Sequence, residues 1–472
     1  MFSSSDYPQK KGALDTLFPG VQELTDRFGD FCNVYTQFFN VFSNNVAPQA
    51  RSYIAGLLMK APRKNMERME EYVNECDYES IQQFLSDSPW DDKALQIRLA
   101  QDVNKEIGGN GAVLCIDESA VTKKGDKSVG VARQWNGRLG KTDNCQVGVY
   151  SSLVKDATGC IIGKRLYLPK EWTSNKARCD RAGIPKDKQV FKTKPQLALE
   201  LVDEALETGI NFDYVCMDAF YGNNPQLLRE LEKRELVFVA DVHMDQGIYT
   251  EDPEPYLPRR RTKIGPKYKR LQCRGIVKTV KEFIGEISEN RWKKVPVRES
   301  TKGRLARNAF RQAVWLWDGE ERVARQWWLT IVRSEDGEEK AFISNAGSSV
   351  TLQKIVEAHA QRYWIERTFQ DAKTSIGMAD YQARKWKSWH HHMTMVSLAS
   401  FFVMRERLHH NSIDGLLSYQ DIVELLDFYL PRADRTEEEL LENITRRHIK
   451  RLRSIESANR KQLNKSKRSL TK

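Results

Sequence analysis

Residues 112–119 read Ala-Val-Leu-Cys-Ile-Asp-Glu-Ser. An unbroken apolar run that stops at a carboxylate describes a strand buried on both faces, with Asp117 at its C-terminal end. The same pattern returns at Asp213-Tyr-Val-Cys-Met-Asp218 and at Leu236-Val-Phe-Val-Ala-Asp241. A helical segment, Pro225–Arg234, separates those two strands, and the amphipathic segment Pro195–Thr208 precedes them. After the first strand, Ser128–Ala132, Gln146–Tyr150 and Ile161–Leu168 are short strands joined by polar turns, which suits an antiparallel meander. Strands and helices in this order predict an α/β core. Such sheets place ligands and reacting groups at the C-terminal ends of their strands.

Four further segments flank this core, which spans 106–245. Residues 1–105 read as a small helical domain, with Phe31, Val34, Tyr35, Phe38, Phe39 and Phe42 on one broad apolar face. Residues 246–350 are rich in Lys, Arg and Pro, with short alternating stretches at 275–280, 283–287, 313–317, 327–332 and 341–344 that predict a β-rich insertion. The core resumes over 351–430 with two helices, Val356–Ile376 and Trp386–Leu408. A charged helical tail, 431–472, is acidic at Glu437–Glu442 and basic thereafter.

Charge is segregated along the chain. Of a net +11, residues 259–312 carry 18 Lys/Arg against 4 Asp/Glu, and residues 446–472 carry 11 against 1. The rest is therefore acidic. Two basic attachments on an acidic body suit a polyanionic partner better than they suit solubility. The longest apolar run, Met393–Met404, falls short of the roughly 18 residues of a membrane span. No secretory signal opens the sequence, and the 8 cysteines form no C-x-x-C pair, so reduced thiols in a cytoplasmic protein are expected.

Three carboxylates stand out. Asp117 and Asp218 end buried strands, and Glu366 lies mid-helix in Gln361-Arg-Tyr-Trp-Ile-Glu-Arg-Thr-Phe-Gln-Asp-Ala-Lys373. An all-oxygen set suits a hard cation such as Mg²⁺ or Mn²⁺, and two such ions about 4 Å apart serve phosphoryl transfer. His359, Arg362, Glu366 and Lys373 recur at helical spacing, so cations flank the acid along one face, as a phosphate backbone held at a metal site requires. Glu118 and Asp241 could each replace a neighbour in the trio, and Arg362–Glu366 could be a plain i, i+4 ion pair.

These motifs resemble the insertion-sequence DDE transposases, whose catalytic core is RNase H-like with a β-rich insertion before the catalytic Glu. The resemblance covers most of residues 50–410 and is carried by Cys115-Ile-Asp117-Glu-Ser, Ser128-Val-Gly-Val-Ala-Arg-Gln-Trp135 with Lys141-Thr-Asp-Asn-Cys-Gln146, Val215-Cys-Met-Asp218-Ala-Phe-Tyr-Gly222, and Arg362–Lys373. It departs at one position, where His359 stands in place of the family's Tyr. It implies Asp117, Asp218 and Glu366 as catalytic metal ligands for two Mg²⁺ (or Mn²⁺) ions. The implied reaction is cleavage at transposon ends followed by joining of the freed 3′-hydroxyls to target DNA. His359, Arg362 and Lys373 would contact DNA, together with Arg304, Arg307, Trp315 and Trp317 of the insertion, where basic residues interleaved with indoles suit a distorted or single-stranded end. Because two ends must meet, a homodimer on double-stranded DNA in a prokaryotic nucleoid is expected.

Other features carry less. The three consecutive histidines 390–392 diverge around a helix, so packing is expected of them and not a shared metal. Gly108-Gly-Asn-Gly111 precedes a strand and is no phosphate loop, and Ser119 lacks the context of a nucleophile. A DNA-binding regulator or an RNase H-like nuclease without strand joining are the rival readings.

Overall fold

The computed structural model describes residues 23–41, 44–258, 268–300, 303–411, 417–434 and 436–470. Phe42 and the basic stretch 259–267 lie outside the described residues. Four helices open the fold: α1 (Leu24–Val34), α2 (Ala47–Leu58), α3 (Met66–Tyr72) and α4 (Tyr78–Ser86), followed by α5 (Asp92–Ile107). The expected continuous helical face is interrupted, because α1 ends at Val34 and a 3-10 turn spans Thr36–Phe39. The turn lets Phe39 fold back onto Phe84 and Trp90. Phe31 and Tyr35 are buried with it, Phe38 packs at the edge of the same core, and Val34 is exposed.

The sheet begins with β1 (Val113–Thr122), β2 (Ala132–Asn136), β3 (Lys141–Lys155) and β4 (Thr158–Leu166). Helix α6 (Lys194–Glu207) then leads to β5 (Tyr214–Met217), and α7 (Pro225–Lys233) leads to β6 (Phe238–Val242). Thr193 starts α6 through a reciprocal capping box with Gln196. Strand β1 is antiparallel to β3 and parallel to β5, and β5 is parallel to β6. The expected strand at 128–132 instead starts at Ala132, and its register partner is the N-terminal part of β3.

Strands β7 (Lys293–Ser300), β8 (Gly303–Leu316), β9 (Arg325–Arg333) and β10 (Glu339–Ser344) follow. They do not stand apart from the core. β10 pairs with β6, giving one 10-stranded sheet of order β7-β8-β9-β10-β6-β5-β1-β3-β2, with β4 on the other part of β3. Alternation failed as a signal at 283–287, where Val280–Gly285 is a short helix capped by Thr279 and Glu282. Arg304 lies on β8 opposite Glu299, and Arg307 lies three residues further along the same strand.

Helices α8 (Leu352–Gln361) and α9 (Tyr363–Ser375) cover one face of the sheet, and α6 covers the other. Cys115 and Cys216 point at α8, with their thiols near the carbonyls of Gln361 and Ala358. On the opposite face, Arg165 of β4 pairs with Glu200 and Glu204 of α6. Helix α10 (Trp386–Asn411) is flanked by α2, α4 and α5, while α11 (Tyr419–Tyr429) and the 34-residue α12 (Glu437–Leu470) end the chain. Among the described residues no helix is long and apolar enough to cross a membrane, and all 8 cysteines are free thiols.

The N-terminal helices are joined to α10 by its histidines. His392 bonds the Tyr53 hydroxyl through Nδ1 at 2.7 Å and stacks on Tyr381, while His391 stacks on Trp90 at 3.9 Å. Arg27 pairs with Glu406 at 2.8 Å nearby. Burial depresses His391 to about 4 and His392 to about 3, so both are neutral in the folded chain. The unfolded chain takes up these protons near pH 6.5, so stability is full above that pH and is lost as pH falls toward 4. Each histidine should cost about 2 kcal/mol between pH 7 and pH 5. Urea unfolding at the two pH values will check this, with His392→Phe expected to flatten the dependence.

Candidate active site

The parallel register decides the site. Cys115 lies beside Cys216 and Ile116 beside Met217, so the next step places Asp117 beside Asp218. Likewise Met217 lies beside Ala240, and the next step brings Asp218 beside Asp241. Three aspartates therefore lie at one level on three adjacent strands, under α8 and α9. Contrary to the expectation from sequence, Asp117 does not end its strand: the parallel pairing with β5 stops there, but β1 runs on to Thr122 against β3.

Their partners separate them. Asp241 is neutralised: His359 Nε2 lies 2.6 Å from its Oδ1 and Arg362 Nε 2.9 Å from its Oδ2. The His359 ring is also stacked on Phe342, with centroids 4.1 Å apart. Glu118, on the opposite face of β1, is held by Lys194 at 2.6 Å and by the Tyr221 hydroxyl at 2.8 Å. Asp117 and Asp218 have no such cation. Among the described residues neither makes an ion pair. Asp117 accepts the Glu118 amide at 2.7 Å, and Asp218 caps the one-turn helix Ala219–Gly222 by accepting the amides of Phe220 and Tyr221.

The consequence is electrostatic. Burial first, and the Asp218 charge second, push Asp117 well above the carboxylate range. Burial and then Glu118 push Asp218 up to about 6. Arg362 opposes both shifts, and it also sits against Glu366, with Nη1 to Oε1 at 2.9 Å. One guanidinium thus serves four acids, which outweigh its burial and raise its proton affinity further.

Glu366 itself is half exposed on α9 and turned toward Arg362. The expected single helix over 356–376 is broken at Arg362, whose amide bonds the carbonyl of His359, three residues back. Lys373 reaches the other side of Asp117, donating to the Ala120 carbonyl at 3.0 Å, and burial lowers it to about 8. Among the described residues no three His, Cys, Asp or Glu side chains are gathered closely enough to hold an ion. The pair Asp117 and Asp218 nevertheless fits a divalent cation: two partly buried oxygen donors side by side, with no ion pair of their own among the described residues.

Gly222 completes the geometry. A Cβ there would lie 1.9 Å from the Asp241 carbonyl oxygen, so only glycine lets the Asp218 turn close onto β6.

Arg307 shares a groove of about 350 Å³ with Lys340, Tyr363, Arg362 and Glu366, between β8, β9 and α8–α9. Trp315 is partly buried on β8, bridged through its backbone to Tyr249, and Trp317 donates its indole N–H to the Glu321 carbonyl at 2.7 Å. Trp327 is a core residue, edge-on to Phe238. Trp315 and Trp317 therefore do not line the groove beside Glu366.

A family model for the DDE superfamily endonucleases matches residues 37–304, more than half of the chain. The chain belongs to the DDE superfamily of endonucleases. Asp117 and Asp218 fall inside the matched span, and Glu366 beyond it. This endonuclease is 25% identical to the probable transposase for insertion sequence element IS701 of Microchaete diplosiphon, over 363 residues that cover 75% of this chain and 80% of that one. A solved structure, the piggyBac transposase synaptic complex with hairpin DNA, aligns over 92% of this chain and 86% of its own at 13% identity, with a TM-score of 0.40.

The cost of holding Asp218 desolvated and near Glu118 is measurable. Because the folded chain raises Asp218, the penalty is absent below about pH 4, grows as pH rises toward about 6, and is complete above. Asp218→Asn in EDTA should therefore be more stable than wild type by about 2 kcal/mol at pH 8, with the gap closing toward pH 4. Asparagine retains the cap, so a loss of stability at every pH would contradict this cost.

Proposed function

We propose that this chain is a cut-and-paste transposase. It would cleave DNA at the ends of its own element and join the freed 3′-hydroxyls to target DNA, working as a homodimer on the chromosome of a prokaryotic cell. The observation that carries the reading is the uncompensated pair Asp117–Asp218, set by the register of parallel strands beneath a helix that presents Arg362 and Glu366.

In this reading the sheet and its helices are an RNase H-like core, and the strands between 246 and 350 are the insertion, which prolongs the sheet past β6. Asp117, Asp218 and Glu366 would hold Mg²⁺, or Mn²⁺ in its place. When bound, such ions supply a deprotonated water or hydroxyl and shield charge on the phosphoryl group in flight. The protein's own part is positional. Arg362 orients Glu366 and, bridging it to Asp241, anchors the start of α9 over the level of the aspartates. His359 secures the same anchor from the preceding turn, through Asp241. That gives the His359 position a structural duty besides any contact with phosphate. Arg307 and Lys340 line the groove that leaves the site past Glu366, where a DNA backbone would find cations. Arg304, earlier on β8, belongs to the same proposed contact.

The test is Mg²⁺-dependent cleavage of a labelled duplex carrying the gene's flanking DNA. Wild type should nick at one defined position on each end. Glu366→Gln and Asp117→Asn should each lower the rate by about a thousandfold or more while duplex binding persists. Equal cleavage by wild type and both variants would remove these residues from the reaction, and binding without cleavage by any of them would favour the regulator.

A further inference from the structure

The motif Ala132-Arg-Gln-Trp-Asn-Gly-Arg-Leu-Gly-Lys141 has no part in the chemistry described above. It forms the hairpin of β2 and the start of β3 at the edge of the sheet. Its inward side chains are committed. Asn136, 1% exposed, donates to the Thr122 hydroxyl, and Gln134 donates to the Cys145 carbonyl at 2.8 Å. At the base of the hairpin Gln146 bonds the Val129 carbonyl and accepts the Tyr381 hydroxyl. The hairpin is therefore held rigidly.

Its outward side chains are not committed. Trp135 is 58% exposed and Leu139 44%, which is unusual for an indole on a well-packed strand. Arg133 and Arg138 are exposed, and among the described residues neither side chain has an ion-pair or hydrogen-bond partner.

Register ties this surface to the active site. Val121 of β1 lies opposite Gln146, while Asn144 and Thr142 of β3 lie opposite Arg133 and Trp135. Directly opposed residues share a face and alternate residues return to it, so Arg133 and Trp135 emerge on the same face of the sheet as Asp117. Arg138, in the turn, is close enough to Lys373 to lower its proton affinity, and Lys373 in turn senses Asp117. A line of unpaired cations thus runs from Asp117 through Lys373 and Arg138 to Arg133, beside an open indole. It leaves the carboxylates on the side of Ala120, away from the groove of Arg307 and Lys340 beside Glu366.

We infer that this hairpin is a docking surface for the arm of the cut duplex that continues past the scissile phosphate on the Lys373 side. Arg133 and Arg138 hold its backbone, and Trp135 packs against a base or sugar where the duplex opens. This placement of the second arm rests on the proposed DNA cleavage. An unpaired guanidinium neutralises one phosphate, and base–aromatic stacking tolerates any sequence.

Binding in EDTA separates this surface from catalysis. Wild type and Arg133→Ala/Arg138→Ala are titrated with duplexes carrying both arms, or truncated on one side or the other of the mapped cut. Removing one particular arm should weaken wild type at least about tenfold and leave the double variant nearly unaffected, and the variant's salt slope on the full duplex should be smaller by about two. Trp135→Ala should lose about tenfold on the full duplex and Trp135→Phe little. All three variants change surface residues, and unchanged thermal unfolding will confirm their fold. Equal sensitivity of wild type and double variant to every truncation, with equal salt slopes, would overturn the assignment. Failure of wild type to bind any of the duplexes would instead overturn the cleavage reading beneath it.

Discussion

Two carboxylates side by side without a counter-ion are costly for a fold to maintain, and the architecture is arranged around keeping them there. Parallel pairing of β1 with β5 runs through Ile116 and Met217, so that Asp117 and Asp218 follow side by side. Slipping either strand by one residue would turn its buried side chains to the wrong face, so the register cannot relax to relieve the repulsion. Neighbouring acids are given partners one by one: Asp241 by His359 and Arg362, Glu118 by Lys194 and Tyr221. Arg362 reaches toward the remaining pair without forming an ion pair with either member. What is left is a local excess of negative charge aimed at the space under α9.

The surrounding structure keeps that excess in place. The Asp218 turn closes against β6 only because Gly222 has no side chain, and the apolar layer of β1, β5 and β6 keeps the strand ends flush. Helix α8 lies over both the original strands and their continuation through β7 and β8, so the position of Arg362 is set from both halves of the sheet. Remote packing also contributes. The neutral histidines of α10 secure the N-terminal helices to the same body, which ties the integrity of the site to segments far from it in sequence.

Much of this was legible in the amino-acid order, and the reasons differ by element. The strands whose apolar runs stop at Asp117, Asp218 and Asp241 announce themselves because sheets covered on both faces need continuous apolar runs, although β1 itself continues past Asp117 to Thr122. The i, i+4 spacing of Arg362 and Glu366 already contains their ion pair. Harder to see was which of four nearby acids keeps a partner, since that depends on cations from other elements, Lys194 and His359 among them. The joining of β10 to β6 was hidden for a similar reason: pairing between distant strands leaves no local mark, so nothing within residues 293–344 showed that their strands extend the same sheet. At 283–287 alternation misled, because Thr279 and Glu282 cap a helix too short to show its own period.

The most direct test of the central claim is the structure of the wild-type protein with Mn²⁺ and the terminal duplex, using anomalous scattering to find the metal. Mn²⁺ should lodge between the carboxylates of Asp117 and Asp218, with Glu366 drawn from Arg362 toward it. Manganese bound elsewhere, with the aspartate pair empty and Glu366 still on Arg362, would contradict that claim.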